Sequence, residues 1–187
     1  ADPAFIAAAL LAQAEHDPQA LALALVTEPE LAAAIVAELE RQLPQLARAD
    51  IARTALKARG LILEVGGVAE AIELANDIAI EHLELQVAEP WQWLAKIRHA
   101  GAIFLGSWTP EAAGDYVAGP NHVLPTMGTA RIASALGVET FLKKSSIISY
   151  SRAALVADGD HIRRLAALEG LTAHGNSVAV RLGKAGR

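Results

Sequence analysis

Four short apolar runs, set apart by longer amphipathic stretches, constrain this chain more than any other feature. The runs are "QALALALVT" (19–27), "LILEV" (61–65), "HLELQVA" (82–88) and "AIFLG" (102–106). Helical patterns cover 28–43, 49–60, 68–79 and 90–101, and another, 3–16, precedes the first run. Their ends carry the expected signals: Asp2–Pro3 before the first, acids in the first turn of the second, Pro90 opening and Gly101 closing the last. The run at 19–27 also suits a buried helix on periodicity alone. Short strands alternating with helices of ten or more residues imply βαβ units, a parallel sheet and right-handed crossovers.

The expected fold is therefore α/β: a parallel, Rossmann-like sheet with flanking helices, followed by small C-terminal α+β or helical segments. From Ser107 to Thr129 the pattern breaks into a turn-rich stretch, and long loops in compact domains are usually functional or disordered. Beyond it come "RIASALG" (131–137), a β-like "FLKKSSIISYS" (141–151), a helix near 158–169 and a last helical stretch after His174. The boundaries are placed at 1–136 for the main α/β part, 137–162 for a small β/helix linker and 163–187 for a C-terminal helical segment. Open α/β sheets take ligands beyond the carboxyl ends of their strands. That directs attention to the loop after "AIFLG" and the turn after "LANDIAI".

Composition narrows the functional classes. With 187 residues, 53% of them hydrophobic, the chain can build a real core. Its net charge is −5 and its 16 basic residues are scattered, which argues against nucleic acid as a partner. Cysteine is absent, so disulfides and thiolate metal sites are excluded, in keeping with a reducing compartment. The run "AFIAAALLA" is about half a membrane span and lacks the basic flank of a signal peptide. The expectation is a cytoplasmic protein with no membrane partner. The chain opens at Ala1 and its single methionine is Met127, which suggests a piece of something longer.

Several polar groups could carry chemistry. Gln13 and His16, three apart, share one helix face, a spacing a metal can use. Taken alone, a polar helix end is the better reading, because Gln is a poor zinc ligand. Glu81 and His82 put a carboxylate beside an imidazole at a helix-to-strand junction, a pairing suited to proton transfer. By themselves an exposed junction pair is the better reading. "EAAGDYVAGPNHVLPT" (111–126) holds Glu111, Asp115, Tyr116, Asn121 and His122 among glycines. Asp115 and His122 are its candidate acid–base or metal groups. Glu169 and His174 flank a break between helices and read as a capping region. Gly66–Gly67 reads as a tight turn, and His99 and His161 as solvated.

"LLAQAEHDP", "NDIAIEHLEL", "GAIFLGSWTPEAAGDYVAGPNHVLPT" and "EGLTAHGNSVAVRL", in this order and spacing, resemble the second half of the histidinol dehydrogenase family. The resemblance covers essentially the whole chain. It implies a zinc-dependent homodimer that oxidises L-histidinol to L-histidine through the aldehyde, with two NAD, in the last step of histidine biosynthesis. By the same resemblance Gln13, His16, Asp115 and His174 are zinc ligands. Glu81 and His82 are the acid–base pair. His122 and Glu169 lie close to substrate, alongside Gln13, His16, His82, Asp115 and His174. Glu169 and His174 would reach the partner's site across the dimer. No NAD-binding residue is implied in this stretch, and the chain alone is expected to be inactive.

The chain departs from that family's pattern in three ways. Family members are more than twice as long, Ile80 stands where Pro is usual, and Ala9 where Asp is common. Two readings from other classes compete: a metal-dependent hydrolase using water activated by Glu81, and a non-catalytic segment that binds a partner chain.

Overall fold

The computed structural model describes residues 1–183 and divides into two units, Ala1–Phe141 and a second from Leu142. The first unit opens with α1 (Pro3–Ala14). The Asp2 carboxylate accepts a hydrogen bond from the Ala4 amide at 2.8 Å, and Pro3 takes the first helical position. Ala7, Leu10, Leu11 and Ala14 recur at helical spacing and are buried on one face. Strand β1 (Ala22–Val26) follows, then α2 (Pro29–Gln42), α3 (Ala49–Arg59) and β2 (Gly60–Glu64). Gly60 is extended at φ −75°, so it begins β2 and does not cap α3 in the left-handed form expected of a helix-ending glycine.

β1 and β2 pair in parallel, from Ala22 opposite Gly60 to Val26 opposite Glu64. One face of β1 is buried at Ala22, Ala24 and Val26. It packs with Leu10 and Leu11 of α1, Ile35 of α2, and Ala52 and Ala55 of α3. Small alanines let these elements approach closely, and Ile35 fills the centre with no exposed surface. Burying such a side chain contributes about 1.5–3 kcal/mol.

The chain continues through α4 (Val68–Ile78) to β3 (His82–Leu85), β4 (Ala102–Leu105) and α5 (Glu111–Tyr116). β3 and β4 are again parallel, from His82 opposite Ala102 to Leu85 opposite Leu105. The parallel pairing matches the sequence pattern, but the strands form two separate pairs, β1–β2 and β3–β4.

Two expected elements differ. Residues 90–101 form short 3₁₀ turns at Pro90–Gln92 and Leu94–Lys96 instead of a helix. The cause is tertiary: Asn76 of α4, 1% exposed, captures this segment. Its Oδ1 accepts from the amides of Arg98 (2.7 Å) and His99 (3.2 Å), and its Nδ2 donates to the Lys96 carbonyl (2.9 Å). The β-like 141–151 contains no strand. Among the described residues nothing pairs with it, Ile147 and Ile148 stay exposed, and a strand without a ladder partner is not stable.

In the second unit, α6 (Arg152–Leu168) is capped by Ser151, whose hydroxyl accepts from the Ala154 amide at 3.1 Å. It begins earlier than the helix expected near 158. Gly170, at φ +70°, makes the turn into α7 (Thr172–Arg181).

Candidate functional site

Three chain segments bring polar groups together in the first unit. The end of α1 supplies Gln13 and His16, the start of β3 supplies Glu81 and His82, and α5 supplies Glu111 and Asp115. α4 ends at Ala79, a buried non-glycine residue in the left-handed region (φ 56°), which swings the chain toward β3. The carbonyls of Ile80 and Glu81 then accept from Gly101 (3.0 Å) and Ala102 (2.9 Å), tying this turn to β4. Gly101 is required there, because a Cβ would lie 2.6 Å from the Glu81 carbonyl oxygen.

α5 is set against the same strands. Glu84, two residues beyond His82, accepts from the Glu111 amide at 3.0 Å, so a carboxylate meets the helix's first free N–H. Gly114 seats α5 on β4, since a Cβ there would meet the Phe104 ring at 2.7 Å. Phe104 also faces the His82 ring, with centroids 6.0 Å apart. The loop before α5 reaches α1 through an edge-on contact of Trp108 with Phe5 at 5.7 Å.

The resulting cluster is tight. His82 Nδ1 lies 3.1 Å from Gln13 Oε1 and 3.5 Å from Glu111 Oε1. His16 Nε2 lies 3.3 Å from the same Glu111 oxygen. His16, Glu111 and Asp115 each offer a ligand atom, all within 4.8 Å of one another. Imidazole and carboxylate donors at that spacing suit a borderline ion such as zinc. The site draws on the turn that opens β3, with Glu81 and His82, and on the segment after β4, with Glu111 and Asp115, the two places to which the sequence pattern pointed.

Burial sets the electrostatics. It pushes the Glu81 carboxyl up, as does Asp115, against the pull of His16 and of a hydrogen bond from Gln13. It pushes the His82 imidazole down, favouring the neutral ring. Glu111, with a side chain only 7% exposed, is pushed up to about 7, chiefly by burial. His16 opposes that shift, and Asp115 and Glu84 add to it.

Of the residues singled out in the sequence, Gln13, His16, Glu81, His82 and Asp115 come together. His122 is exposed and makes no hydrogen bond or ion pair among the described residues. Glu169 ends α6 and His174 lies in the first turn of α7, both exposed in the second unit. Sequence reasoning named Glu111 without giving it a role and passed over Glu84. The signal for Glu111 was its i, i+4 spacing from Asp115, which puts both carboxylates on one helix face.

Residues 1–182 match the family model described as histidinol dehydrogenase. The histidinol dehydrogenase of Desulfotalea psychrophila is 69% identical over 182 residues, 97% of this chain and 42% of that protein. The chain belongs to the histidinol dehydrogenase family. The histidinol dehydrogenase of Thermosynechococcus vestitus is 55% identical over 182 residues, with the same coverage of 97% and 42%. The crystal structure of histidinol dehydrogenase from Elizabethkingia anophelis superposes with a TM-score of 0.83 at 36% identity, over 98% of this chain and 42% of that one. The chain thus spans less than half the length of these relatives.

Proposed function

We propose that this chain is the zinc- and histidinol-holding part of a cytoplasmic, homodimeric histidinol dehydrogenase, which oxidises L-histidinol to L-histidine through L-histidinal with two NAD. The observation that carries this reading is the convergence of a half-buried carboxylate–imidazole pair, Glu81 and His82, with a metal-capable corner containing His16 and Asp115. Gln13, His16 and Asp115 would hold zinc, with His174 of the partner copy as fourth ligand. When bound, the ion supplies a template that grips and orients the substrate.

The chain's own residues do the proton work. Loss of hydride from an alcohol needs a base on its oxygen, and His82, kept neutral by burial, takes that proton. The aldehyde can lose a second hydride only after a nucleophile adds to it. With no cysteine in the chain, water is the nucleophile available here. Glu81, whose proton affinity burial has raised, accepts the water proton as the C–O bond forms. Protonated His82 returns its proton to the former carbonyl oxygen as the hydrate forms and, neutral again, takes the hydrate's hydroxyl proton as the second hydride leaves to NAD. His122, Glu169 and His174 complete the substrate contacts, the last two on the partner's site.

The test is NADH formation from L-histidinol. The chain is mixed with the part of the Desulfotalea psychrophila enzyme that lies outside the matched residues. Two NADH per histidinol are expected from the mixture and none from the chain alone. Turnover by the chain alone, or hydrolysis of an ester without NAD, would overturn the proposal.

A further inference from the structure

One carboxylate oxygen of the site serves two rings. Oε1 of Glu111 lies 3.3 Å from Nε2 of His16 and 3.5 Å from Nδ1 of His82. Gln13, His16 and Asp115 have a role as proposed zinc ligands, and Glu81 and His82 as the proton-transfer pair. Glu111 has none, although its side chain is only 7% exposed.

The surroundings of His82 favour one position for its ring hydrogen. A neutral imidazole carries one hydrogen, on either Nδ1 or Nε2. Two groups face Nδ1: Gln13 Oε1 at 3.1 Å and Glu111 Oε1 at 3.5 Å. The Gln13 amide is held in this orientation, because it also gives a hydrogen bond to the Glu81 carboxylate, and only its Nε2 can donate. Both neighbours of Nδ1 are therefore oxygens. They repel a bare nitrogen lone pair and attract an N–H, the carboxylate through its charge as well. Among the described residues Nε2 makes no hydrogen bond. The hydrogen belongs on Nδ1 and the lone pair on Nε2.

Glu111 is held in place from behind. It is the first residue of α5, and Glu84 accepts from its amide at 3.0 Å. Glu84 lies two residues beyond His82 on β3, so both side chains leave the same face of the strand. Gly114 lets α5 lie against Phe104, whose ring centroid is 6.0 Å from that of His82. β3 thus anchors the Glu111 backbone through Glu84 and meets the Glu111 carboxylate again at His82. Gln13 is also a proposed zinc ligand, whereas Glu111 stands outside that ligand set.

We infer that Glu111 is a positioning residue: its carboxylate keeps the His82 ring hydrogen on Nδ1, so that Nε2 is the atom that takes the proton of the substrate hydroxyl. This rests on His82 being the base of the proposed reaction. The proton passes from the hydroxyl oxygen to Nε2 as hydride leaves the same carbon for NAD. The ring then holds two hydrogens, and its positive charge faces the Glu111 carboxylate. A carboxylate behind a catalytic imidazole works in this way, fixing tautomer and orientation without accepting the proton itself.

Nitrogen NMR of the ring tests the assignment without substrate, metal or NAD. The chain is labelled with isotopic histidine, stripped of metal and recorded at alkaline pH. The His82 signals are those that vanish in His82→Asn. The unaltered chain is expected to show Nδ1 protonated and Nε2 bare. In Glu111→Leu the ratio of Nδ1–H to Nε2–H is expected to fall at least tenfold. Glu111→Gln, which keeps an oxygen at the same place, is expected to retain Nδ1–H as the major form. A ring hydrogen on Nε2 in the unaltered chain would overturn the inference, and so would an unchanged ratio in Glu111→Leu. An equal fall in both variants would overturn it too, because the oxygen would then not be what holds the ring. None of these results touches the NADH assay, on which the proposed function stands or falls separately.

Discussion

His82 Nδ1 stands 3.1 Å from Gln13 Oε1, joining the first residue of β3 to the last turn of α1 across 69 positions of sequence. This contact joins the Glu81–His82 pair and the helix end into one cluster. Replacing Gln13 with Leu removes the amide that faces both His82 and Glu81. Zinc affinity is expected to fall tenfold or more, while the midpoint of chemical denaturation barely moves, because Gln13 is not in the core. Equilibrium dialysis beside a denaturation curve reads both.

Gly114→Ala probes how α5 is seated. The added methyl meets the Phe104 ring at 2.7 Å, so the ring or the helix must shift. Overpacking of this kind costs about 1–3 kcal/mol. Because α5 carries Glu111 and Asp115, zinc affinity should fall along with stability. Gly175→Ala is the control. Its Cβ would rest 3.8 Å from that of Ala166 in α6, an ordinary contact between the two helices. Helix propensity there favours a gain of about 0.5–1 kcal/mol.

Asn76→Ala leaves two backbone amides and one carbonyl of the 96–99 segment without their partner. Each buried group left unsatisfied costs roughly 1–3 kcal/mol. A loss of at least about 2 kcal/mol is expected in urea denaturation, with the 90–101 segment becoming the fastest to exchange in β4's neighbourhood.

In chelator-treated protein, stability should depend on pH through Glu111. Its folded pKa, about 7, is raised above the ordinary carboxylate value of 4.5. The folded state therefore holds the proton more tightly than the unfolded chain. That contribution is fully present below pH 4.5 and is lost as pH rises through 7. The thermal midpoint should fall between pH 5 and 8, and Glu111→Gln should flatten the fall. Glu81 moves in the same direction, also raised by burial, so some slope should survive in the variant.

Much of this was legible from the sequence, for physical reasons that differ by element. The strands and the helices α1 to α4 follow from periodicity and end signals that are local. Glu81 beside His82 needed only adjacency. Glu111 did not stand out, because its burial comes from Gly114 seating α5 on Phe104 and from Glu84 meeting the helix N-terminus. Both of those contacts join distant parts of the chain. The failed helix at 90–101 has the same origin, since Asn76 competes for its backbone from α4. The β-like 141–151 had strand composition but no ladder to join. Composition cannot report the absence of a partner.

Binding of L-histidinol, measured by calorimetry with and without zinc, tests the central claim most directly. Histidinol should bind the zinc-loaded chain and not the chelator-stripped one, and His16→Ala and Asp115→Asn should each abolish the difference. Equal binding with and without zinc, or zinc held as tightly by both variants as by the unaltered chain, would contradict it.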